Sequence, residues 1–245
     1  AGYEGPLYAE ISPRTFSILA RQGSRLSQLR LRRGASRLDD AQLAELQQSH
    51  GLVSATANPD AGGKDNSDFL ASINDGIGLS VNLHADGPDG IIGWRARKHA
   101  GLIDIDKPAS QPISRFWEAV RTDDLTGGGL VLNPDEFYIL ASREFVCVPS
   151  SYAAEMRAYD TRVGEFRAHY AGFFDPGFGM SNIGAAPTRA VLEVRSHDVP
   201  FLIEHGQIVC RLVYEPMADV PEALYGAQGS GSNYQSQGLK LAKHF

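Results

Sequence analysis

Alternation of apolar and polar residues with a period of two is the feature that most constrains the fold of this chain. Successive side chains of a strand point to opposite faces, so the pattern predicts strands that are buried on one face only. Gly, Pro, Asn and Asp separate the alternating segments and supply turns. The sequence therefore predicts a mainly β protein, with strands in LYAEI (7–11), SQLRLRR (27–33), GLSVNLH (78–84), GLIDIDK (101–107), EFYILASREFVCVP (136–149), AVLEVRS (190–196) and GQIVCRLVY (206–214).

Helix signals are confined to three short segments. The first has Asp39 or Asp40 to cap its N-terminus and Gly51 to end it. The others combine helix-forming residues with a possible cap. We predict helices over residues 38–51, 113–121 and 150–159.

Composition narrows the functional classes. The chain has 245 residues, 42% of them apolar and 21% charged, which suits one large or two modest cores. No apolar run approaches the roughly 18 residues of a membrane helix, and the first residues lack a signal-peptide pattern. We predict a cytoplasmic protein without a membrane partner. The net charge of −6 argues against a nucleic-acid partner.

Six arginines within 17 residues are the local exception to this acidic balance: Arg21, Arg25, Arg30, Arg32, Arg33 and Arg37. Such a density suits either a small polyanion such as a nucleoside triphosphate or ion pairs with the acidic surplus, and the sequence leaves both open. Cys147 and Cys210 lie far apart in apolar segments, so we interpret them as buried thiols. The seven histidines show no paired metal-ligand spacing, and the zinc deaminase signature is absent.

Residues 7–31 align without a gap with residues 190–214, at an offset of 183. Two similar hairpins or two copies of one unit would each explain the alignment. The identical pairs are Glu10 with Glu193, Leu19 with Leu202, Gly23 with Gly206 and Leu29 with Leu212.

Polar residues that could carry chemistry concentrate between residues 155 and 198. Arg157 and Arg162 have guanidinium groups suited to phosphate oxygens, whereas Asp175 precedes Pro-Gly and is either a ligand or a turn former. Glu193 lies on the strand face opposite Leu192 and Val194. That face is either solvent or a cleft, and in a cleft the carboxyl pKa would rise enough to move protons near neutral pH.

Several of these segments resemble, in order, bacterial dCTP deaminases of the dUTPase-like superfamily. By the order and spacing of these segments, about residues 77–245 look like one whole domain of that family, and GSRLSQLRL (23–31) is similar to the superfamily's G-x-R-I-A-Q-L element. The segments are LVLNPDEFYILASREFVCVPSSYAAEM, RAYDTRVGEF, AGFFDPGFG, AVLEV, EHGQIVCRLVYE and SNYQSQG.

The resemblance implies an all-β fold with a few short helices, a distorted jelly-roll β-barrel of the dUTPase-like type, in duplicate. It implies that residues 1–55 are the C-terminal part of a first copy and that residues 77–245 are a complete second domain with a closing tail. Residues 56–76 are the predicted linker, since residues 56–68 are rich in turn formers. The family also leads us to expect a homotrimer with nucleotide sites between subunits, and a chain that lacks its N-terminal part.

For function, the resemblance implies hydrolytic deamination of dCTP to dUTP and ammonia, without zinc and with Mg²⁺ held by the triphosphate. It allows dTTP as an inhibitor. Glu193 matches the family's general base, Arg162 a catalytic arginine, and Glu10 the same base in the first copy. The remaining matches are nucleotide-binding positions: Arg157, Asp175 at the sugar, Ala171 and Val191, and Tyr225, Tyr234 and Gln237 in the tail.

One departure from the family pattern keeps other functions open. Ala158 and Tyr159 replace the two serines of the family's R-S-S-x-x-R signature, one of which is expected to help hold the water that attacks the base. The loss of such a donor costs about 2.7 to 4 kcal/mol of transition-state stabilisation. The alternatives are a dUTP diphosphatase, a non-catalytic copy that serves assembly or nucleotide-binding regulation, and a β-sandwich module that binds no nucleotide.

Overall fold

In the computed structural model, short strands dominate the chain. The structure describes residues 2–58, 69–158, 166–170, 173–180, 186–196, 198–227 and 238–245, with the backbone alone at 158 and 166–170. The strands are β1 (Ser17–Leu19), β2 (Val53–Ser54), β3 (Ile77–Asn82), β4 (Ile91–Ala96), β5 (Leu102–Asp104), β6 (Trp117–Arg121), β7 (Gly129–Leu132), β8 (Phe137–Val146), β9 (Tyr152–Ala158), β10 (Phe166–Tyr170), β11 (Phe173–Phe174), β12 (Thr188–Ser196), β13 (Phe201–Glu204) and β14 (Ile208–Pro216). The helices are α1 (Asp40–His50) and α2 (Ile113–Phe116), with one turn of 3₁₀ helix at Thr122–Asp124.

One curled sheet contains ten of the described strands. Its main path runs β10-β12-β8-β3-β14-β9-β11, and β2, β4 and β6 attach at β8 and β4. Almost all its pairs are antiparallel neighbours distant in the sequence, for example β14 between β3 and β9. The sheet encloses a core that includes Leu79, Leu140, Leu192 and Leu212, each with no exposed surface. The alternation in the sequence thus predicted four strands of this sheet correctly: β3, β8, β12 and β14.

Helix α1 forms as predicted. Asp39 caps it by accepting a hydrogen bond from the Gln42 backbone, and Gly51 ends it in the left-handed conformation at φ 61°. Leu43 and Leu46 of α1 are buried in the same core as the main sheet, and β2 pairs with β8. These contacts attach residues 43–54 to the unit that we predicted to begin at residue 77. The division into two copies stays a prediction.

The other two helix predictions are wrong. Residues 152–158 form β9, which pairs along its whole length with β14, so tertiary pairing outweighs the helix propensity of Ala, Glu and Met there. Only one helical turn, α2, forms in residues 113–121, and its N-cap Pro112 makes no side-chain hydrogen bond. The aromatic and β-branched residues that follow it form β6 against β4.

Residues 2–37 form an extended arm that lies along the main domain, residues 38–245. Of the arm's predicted strands, neither 7–11 nor 27–33 forms, and β1 pairs in parallel with β5 instead. Three arginines attach the arm to the domain by ion pairs: Arg21 to Asp104 at 2.7 Å, Arg30 to Asp175 at 2.6 Å and Arg32 to Glu215 at 2.8 Å. For these three, pairing with the acidic surplus is the correct alternative.

The prediction of buried thiols is confirmed for Cys210 and in part for Cys147. Cys210 is buried and Cys147 half-buried, and neither forms a disulfide; burial raises the pKa of Cys147 to about 11. Among the described residues, no helix is long and apolar enough to cross a membrane. The predicted loop at 56–68 lies mostly outside the described residues.

Candidate active site

Glu193 projects from the middle of β12, a strand whose two faces differ in environment. Residues Ala190, Leu192 and Val194 point into the core with no exposed surface, whereas the alternate residues are half-buried. In register, Glu193 lies opposite Ile139 of β8 and opposite His169 of β10. Strands on both sides therefore fix the position of its backbone.

A cavity of about 410 Å³ lies over this second face of β12. Its wall is predominantly apolar and is built from β8, β12, the arm and the C-terminal tail. The apolar and aromatic lining includes Ile11, Phe16, Ile103, Trp117, Phe137, Ile139, Phe174, Phe178, Val191 and Phe245, and the lining residues with charged or ionisable side chains are Arg14, Arg189, Glu193, Tyr225, Lys240 and His244.

The apolar surroundings change the acidity of Glu193. Burial raises the pKa of Glu193 from its ordinary 4.5 to about 7, and the positive charge of Arg195 opposes part of that rise. No described residue donates a hydrogen bond to the carboxylate. A carboxyl group with a pKa near 7 can accept a proton and return it at neutral pH.

Arg195 lies two residues further along the same face of β12. Its guanidinium stacks on the ring of Phe137, 4.4 Å from the centroid, and donates a hydrogen bond to the Thr15 hydroxyl of the arm. Burial lowers the pKa of Arg195, and the neighbouring Glu193 counteracts this effect. The arm thus helps to hold the cation that stabilises ionised Glu193.

An aromatic cluster closes one end of the cavity. Phe16 of the arm meets the edges of Phe116 and Trp117 at 5.3 Å, and Phe245 contacts the same rings at 5.4 and 5.7 Å. The indole N–H of Trp117 is buried and has no hydrogen-bond partner among the described residues. The arm and the tail therefore meet over Trp117.

Backbone hydrogen bonds fix the last residues of the tail. The amides of Ser110 and Gln111 both donate to the carbonyl of His244 at 3.0 Å, and that of Ala109 donates to Lys243 at 2.8 Å. The residues of this tail that line the cavity are Gly238, Lys240, Ala242, His244 and Phe245. Tyr234 and Gln237, the predicted contacts in the tail, lie outside the described residues.

The structure brings three of the predicted site residues together, since Val191 and Tyr225 line the cavity with Glu193. Asp175 lies in a neighbouring groove, which Tyr225 also lines, and accepts hydrogen bonds from Gln28 at 3.2 Å and from Arg30.

The other predicted site residues lie elsewhere. Arg157 pairs with Asp75 at 3.2 Å and does not line the cavity. Glu10 is exposed and outside any strand, although its neighbour Ile11 lines the cavity. Arg162 and Ala171 lie outside the described residues.

Sequence reasoning missed several parts of the site. Phe16, Thr15 and Trp117 approach Glu193 only through the tertiary fold, and no local pattern marks them. Arg195 carried a usable signal, because alternation places it on the same face as Glu193.

Comparison with known proteins decides the family. The family model for the C-terminal domain of 2′-deoxycytidine 5′-triphosphate deaminase matches residues 39–245. The chain belongs to the 2′-deoxycytidine 5′-triphosphate deaminase family. The model for the N-terminal domain of the same deaminase matches residues 1–35.

Individual members of the deaminase family support the same assignment. A crystal structure of 2′-deoxycytidine 5′-triphosphate deaminase from Agrobacterium tumefaciens is 52% identical, with a TM-score of 0.74 over 88% of this chain and 60% of that chain. The dUMP-forming dCTP deaminase of Methanobrevibacter smithii is 30% identical over 54% of this chain and 65% of its own length. The dUMP-forming dCTP deaminase of Methanothermobacter thermautotrophicus is 28% identical over 56% of this chain and 68% of its own length.

These comparisons also bear on the fold. They confirm the predicted all-β, dUTPase-like fold of the deaminase family. The chain spans about two thirds of the length of these curated relatives.

Proposed function

We propose that this protein catalyses the hydrolytic deamination of dCTP to dUTP and ammonia, with Glu193 as the general base. The observation that supports it most is a carboxyl group with a pKa of about 7, on a strand that faces an apolar cavity, in a chain of the dCTP deaminase family. Burial gives Glu193 the acidity that a base needs at neutral pH.

The proposed reaction uses one water molecule and one proton relay. Ionised Glu193 takes a proton from the water as the water oxygen attacks C4 of cytosine. The electron pair of the C4–N3 double bond moves to N3, which takes this proton from the carboxyl group. Glu193 then accepts the proton of the new C4 hydroxyl and delivers it to the amino nitrogen, so that the C4–N bond to the amino group breaks, ammonia leaves and the C4 carbonyl forms. Glu193 ends the cycle ionised, so no oxidant or reductant is consumed.

Binding of the nucleotide is the second part of the proposal. Val191 and Tyr225 lie beside Glu193 and would contact the nucleotide, with Asp175 at the sugar and Arg157, Arg162, Ala171, Tyr234 and Gln237 completing the site. The groove that holds Asp175 shares Tyr225 with the cavity, which supports one continuous site. Because Arg30 pairs with Asp175 in this structure, sugar binding would require this ion pair to rearrange.

Magnesium would enter with the triphosphate, and the chemistry would need no zinc. Within the described part of the chain, no group of three or more His, Cys, Asp or Glu side chains is arranged to hold a metal ion. Magnesium would neutralise phosphate charge, while Glu193 moves the proton. We therefore expect EDTA to abolish turnover, excess Mg²⁺ to restore it, and a zinc-selective chelator to leave it unchanged. Loss of activity with the zinc chelator alone would contradict this part of the proposal.

Product analysis tests the reaction. The protein is incubated with dCTP and Mg²⁺, and nucleotides and ammonia are measured over time. We expect dUTP and ammonia in equal amounts. No uracil nucleotide at any enzyme concentration would refute the proposal.

A dUMP-forming reaction is the second candidate. The relatives from Methanobrevibacter smithii and Methanothermobacter thermautotrophicus favour it, since both are dUMP-forming dCTP deaminases. The same incubation separates the candidates, because this reaction releases pyrophosphate and accumulates dUMP in place of dUTP. We propose a trimeric assembly for either reaction, and sedimentation of the protein would test it.

A further inference from the structure

Residues 12–15 of the arm form a polar edge of the cavity beside Glu193. Ser12 and Thr15 carry hydroxyl groups, and Arg14 carries a guanidinium group. Guanidinium groups bind phosphate oxygens with paired hydrogen bonds, and hydroxyl groups add single ones. The arm therefore brings side chains that suit phosphate groups to a cavity whose wall is otherwise predominantly apolar.

Arg195 adds a second guanidinium group beside this segment. It donates a hydrogen bond to the Thr15 hydroxyl, and it lies over the ring of Phe137 at 4.4 Å from the centroid. Thr15 and Phe137 both line the cavity, so Arg195 lies at its edge. Because these two contacts fix the side chain, less conformational freedom is lost when its other N–H groups bind an anion.

Arg14 and Arg195 are close enough for their charges to interact. Burial lowers the pKa of Arg195; Glu193 and Asp135 oppose this effect, whereas the positive charge of Arg14 adds to it. The fold thus holds two like charges together in a partly buried place. An anion that contacts both guanidinium groups would offset this repulsion.

Another arginine of the cavity shows the difference that a carboxylate partner makes. Arg189 also lines the cavity, but it donates two hydrogen bonds to Asp86, each of 3.0 Å. Among the described residues, neither Arg14 nor Arg195 forms an ion pair with a carboxylate. Their guanidinium groups therefore still have donors for an anionic ligand, while the charge of Arg189 is already neutralised.

We propose that Arg14 and Arg195 bind the phosphate groups of the nucleotide, with the hydroxyl groups of the same arm segment as further donors. This assignment rests on the proposed function, in which the base of the same nucleotide reacts at Glu193. Arg195 follows Glu193 by two residues on one face of β12, about 7 Å along the strand. One nucleotide can therefore contact both side chains with different groups.

Arg157, which the sequence marks as suited to phosphate oxygens, lies apart from this edge. It pairs with Asp75 at 3.2 Å and does not line the cavity. Arg14 is exposed at the cavity edge, where a ligand can reach it. The arm would therefore supply phosphate contacts beyond those that the family resemblance implies.

Calorimetric titration with three ligands tests this assignment: dCTP, deoxycytidine, which lacks the phosphates, and inorganic tripolyphosphate, which lacks the nucleoside. The full chain carries Glu193→Gln in every titration, so that dCTP is not consumed. Arg14→Gln and Arg195→Gln should each weaken the binding of dCTP and of tripolyphosphate by about 10- to 100-fold. Both should leave the binding of deoxycytidine unchanged, and both losses should shrink as salt is added.

Arg25→Gln is the matched control, because Arg25 is another exposed arginine of the arm and does not line the cavity. It should leave the affinity for all three ligands unchanged. Arg195→Lys keeps the charge but not the paired donors, so it should lose less affinity for dCTP than Arg195→Gln. Arg14→Gln should unfold at the temperature of the unmodified chain, since Arg14 is exposed.

Three results would overturn the assignment: unchanged affinity for dCTP in either Arg14→Gln or Arg195→Gln, an equal loss in Arg25→Gln, or an equal loss for deoxycytidine. The rate of dUTP formation by the unmodified chain keeps these outcomes apart from the proposed function. Deamination by that chain, with full dCTP affinity in the arginine variants, would refute the phosphate site alone. The predicted losses of affinity in a chain that forms no uracil nucleotide would refute the deaminase alone.

Discussion

Residues 7–31 and 190–214 share a turn and an alternating pattern, yet only the second segment forms long strands. β12 and β14 each lie between two neighbouring strands, whereas the arm touches the domain through β1, ion pairs and the side chains that line the cavity. The turn forms from local hydrogen bonds, but a strand needs partners. The same difference separates the two glutamates, because burial raises the pKa of Glu193 while Glu10 is exposed.

The largest expected effect concerns these two glutamates. Glu193→Gln keeps the size of the side chain and removes the base, so turnover of dCTP should fall about 10²- to 10⁴-fold. Glu10→Gln should leave turnover of this chain unchanged, because Glu10 lies at the surface. Initial rates of dUTP formation measure both.

The reverse outcome has a clear meaning. Full activity of Glu193→Gln with loss of activity in Glu10→Gln would show that the main domain is a non-catalytic copy. The unfolding temperatures of both variants serve as the control, so that loss of rate is not confused with loss of fold.

The second largest expected effect is on the free energy of unfolding, which should respond differently to substitutions in the two segments. Leu212→Ala creates a cavity in the core of the main sheet and should lower the free energy of unfolding by about 2 to 5 kcal/mol. Leu29→Ala, at the corresponding position of the arm, should change it by less than about 0.5 kcal/mol. Urea unfolding followed by circular dichroism measures both, and similar losses would contradict the contrast in burial.

The pH dependence of stability gives a smaller effect. The folded protein keeps Glu193 protonated up to about pH 7, whereas the unfolded chain releases this proton near the ordinary pKa of 4.5. The contribution of Glu193 to the free energy of unfolding is therefore fully present below pH 4.5 and is lost as the pH rises through 7. Between these two pH values, the free energy of unfolding of the unmodified protein should fall by about 2 kcal/mol relative to that of Glu193→Gln. A difference that does not vary between pH 4.5 and 7.5 would show that Glu193 has an ordinary pKa.

The smallest effect concerns the attachment of the arm. Arg32 pairs with Glu215, its own counterpart at the offset of 183, and also contacts Glu155. These partly exposed pairs should contribute about 1 kcal/mol or less, so Arg32→Ala should speed deuterium exchange only in the arm. The change should shrink as salt is added. Faster exchange of the core in this variant would be inconsistent with a surface attachment.

Part of the fold could be predicted from local patterns: helix α1 and the strands β3, β5, β8, β12 and β14. Alternation identified β8, β12 and β14 because a strand that is buried on one face has apolar residues at every second position. Alternation was wrong at residues 7–11 and 27–33, where the pattern is present but no described strand pairs with these residues. It also missed β9, whose Ala, Glu and Met favour a helix until β14 pairs with them.

The candidate site shows the same limit. Strand periodicity put Glu193 on the face opposite Leu192, but left open whether that face met solvent or a cleft. The cleft exists because Phe16 from the arm and Phe245 from the tail meet over Trp117, and these three residues lie at least 100 positions apart in the sequence. No local sequence pattern indicates contacts between residues so far apart in the sequence.

The most direct test of the central claim is the pH dependence of kcat/KM for deamination of dCTP. For the free enzyme this profile reports the pKa of the essential base. We predict that kcat/KM rises with pH to a plateau with a midpoint near 7, the pKa to which burial raises Glu193. A midpoint near the ordinary 4.5 of a glutamate, or a rate that persists unchanged in Glu193→Gln, would contradict the assignment of Glu193 as the base.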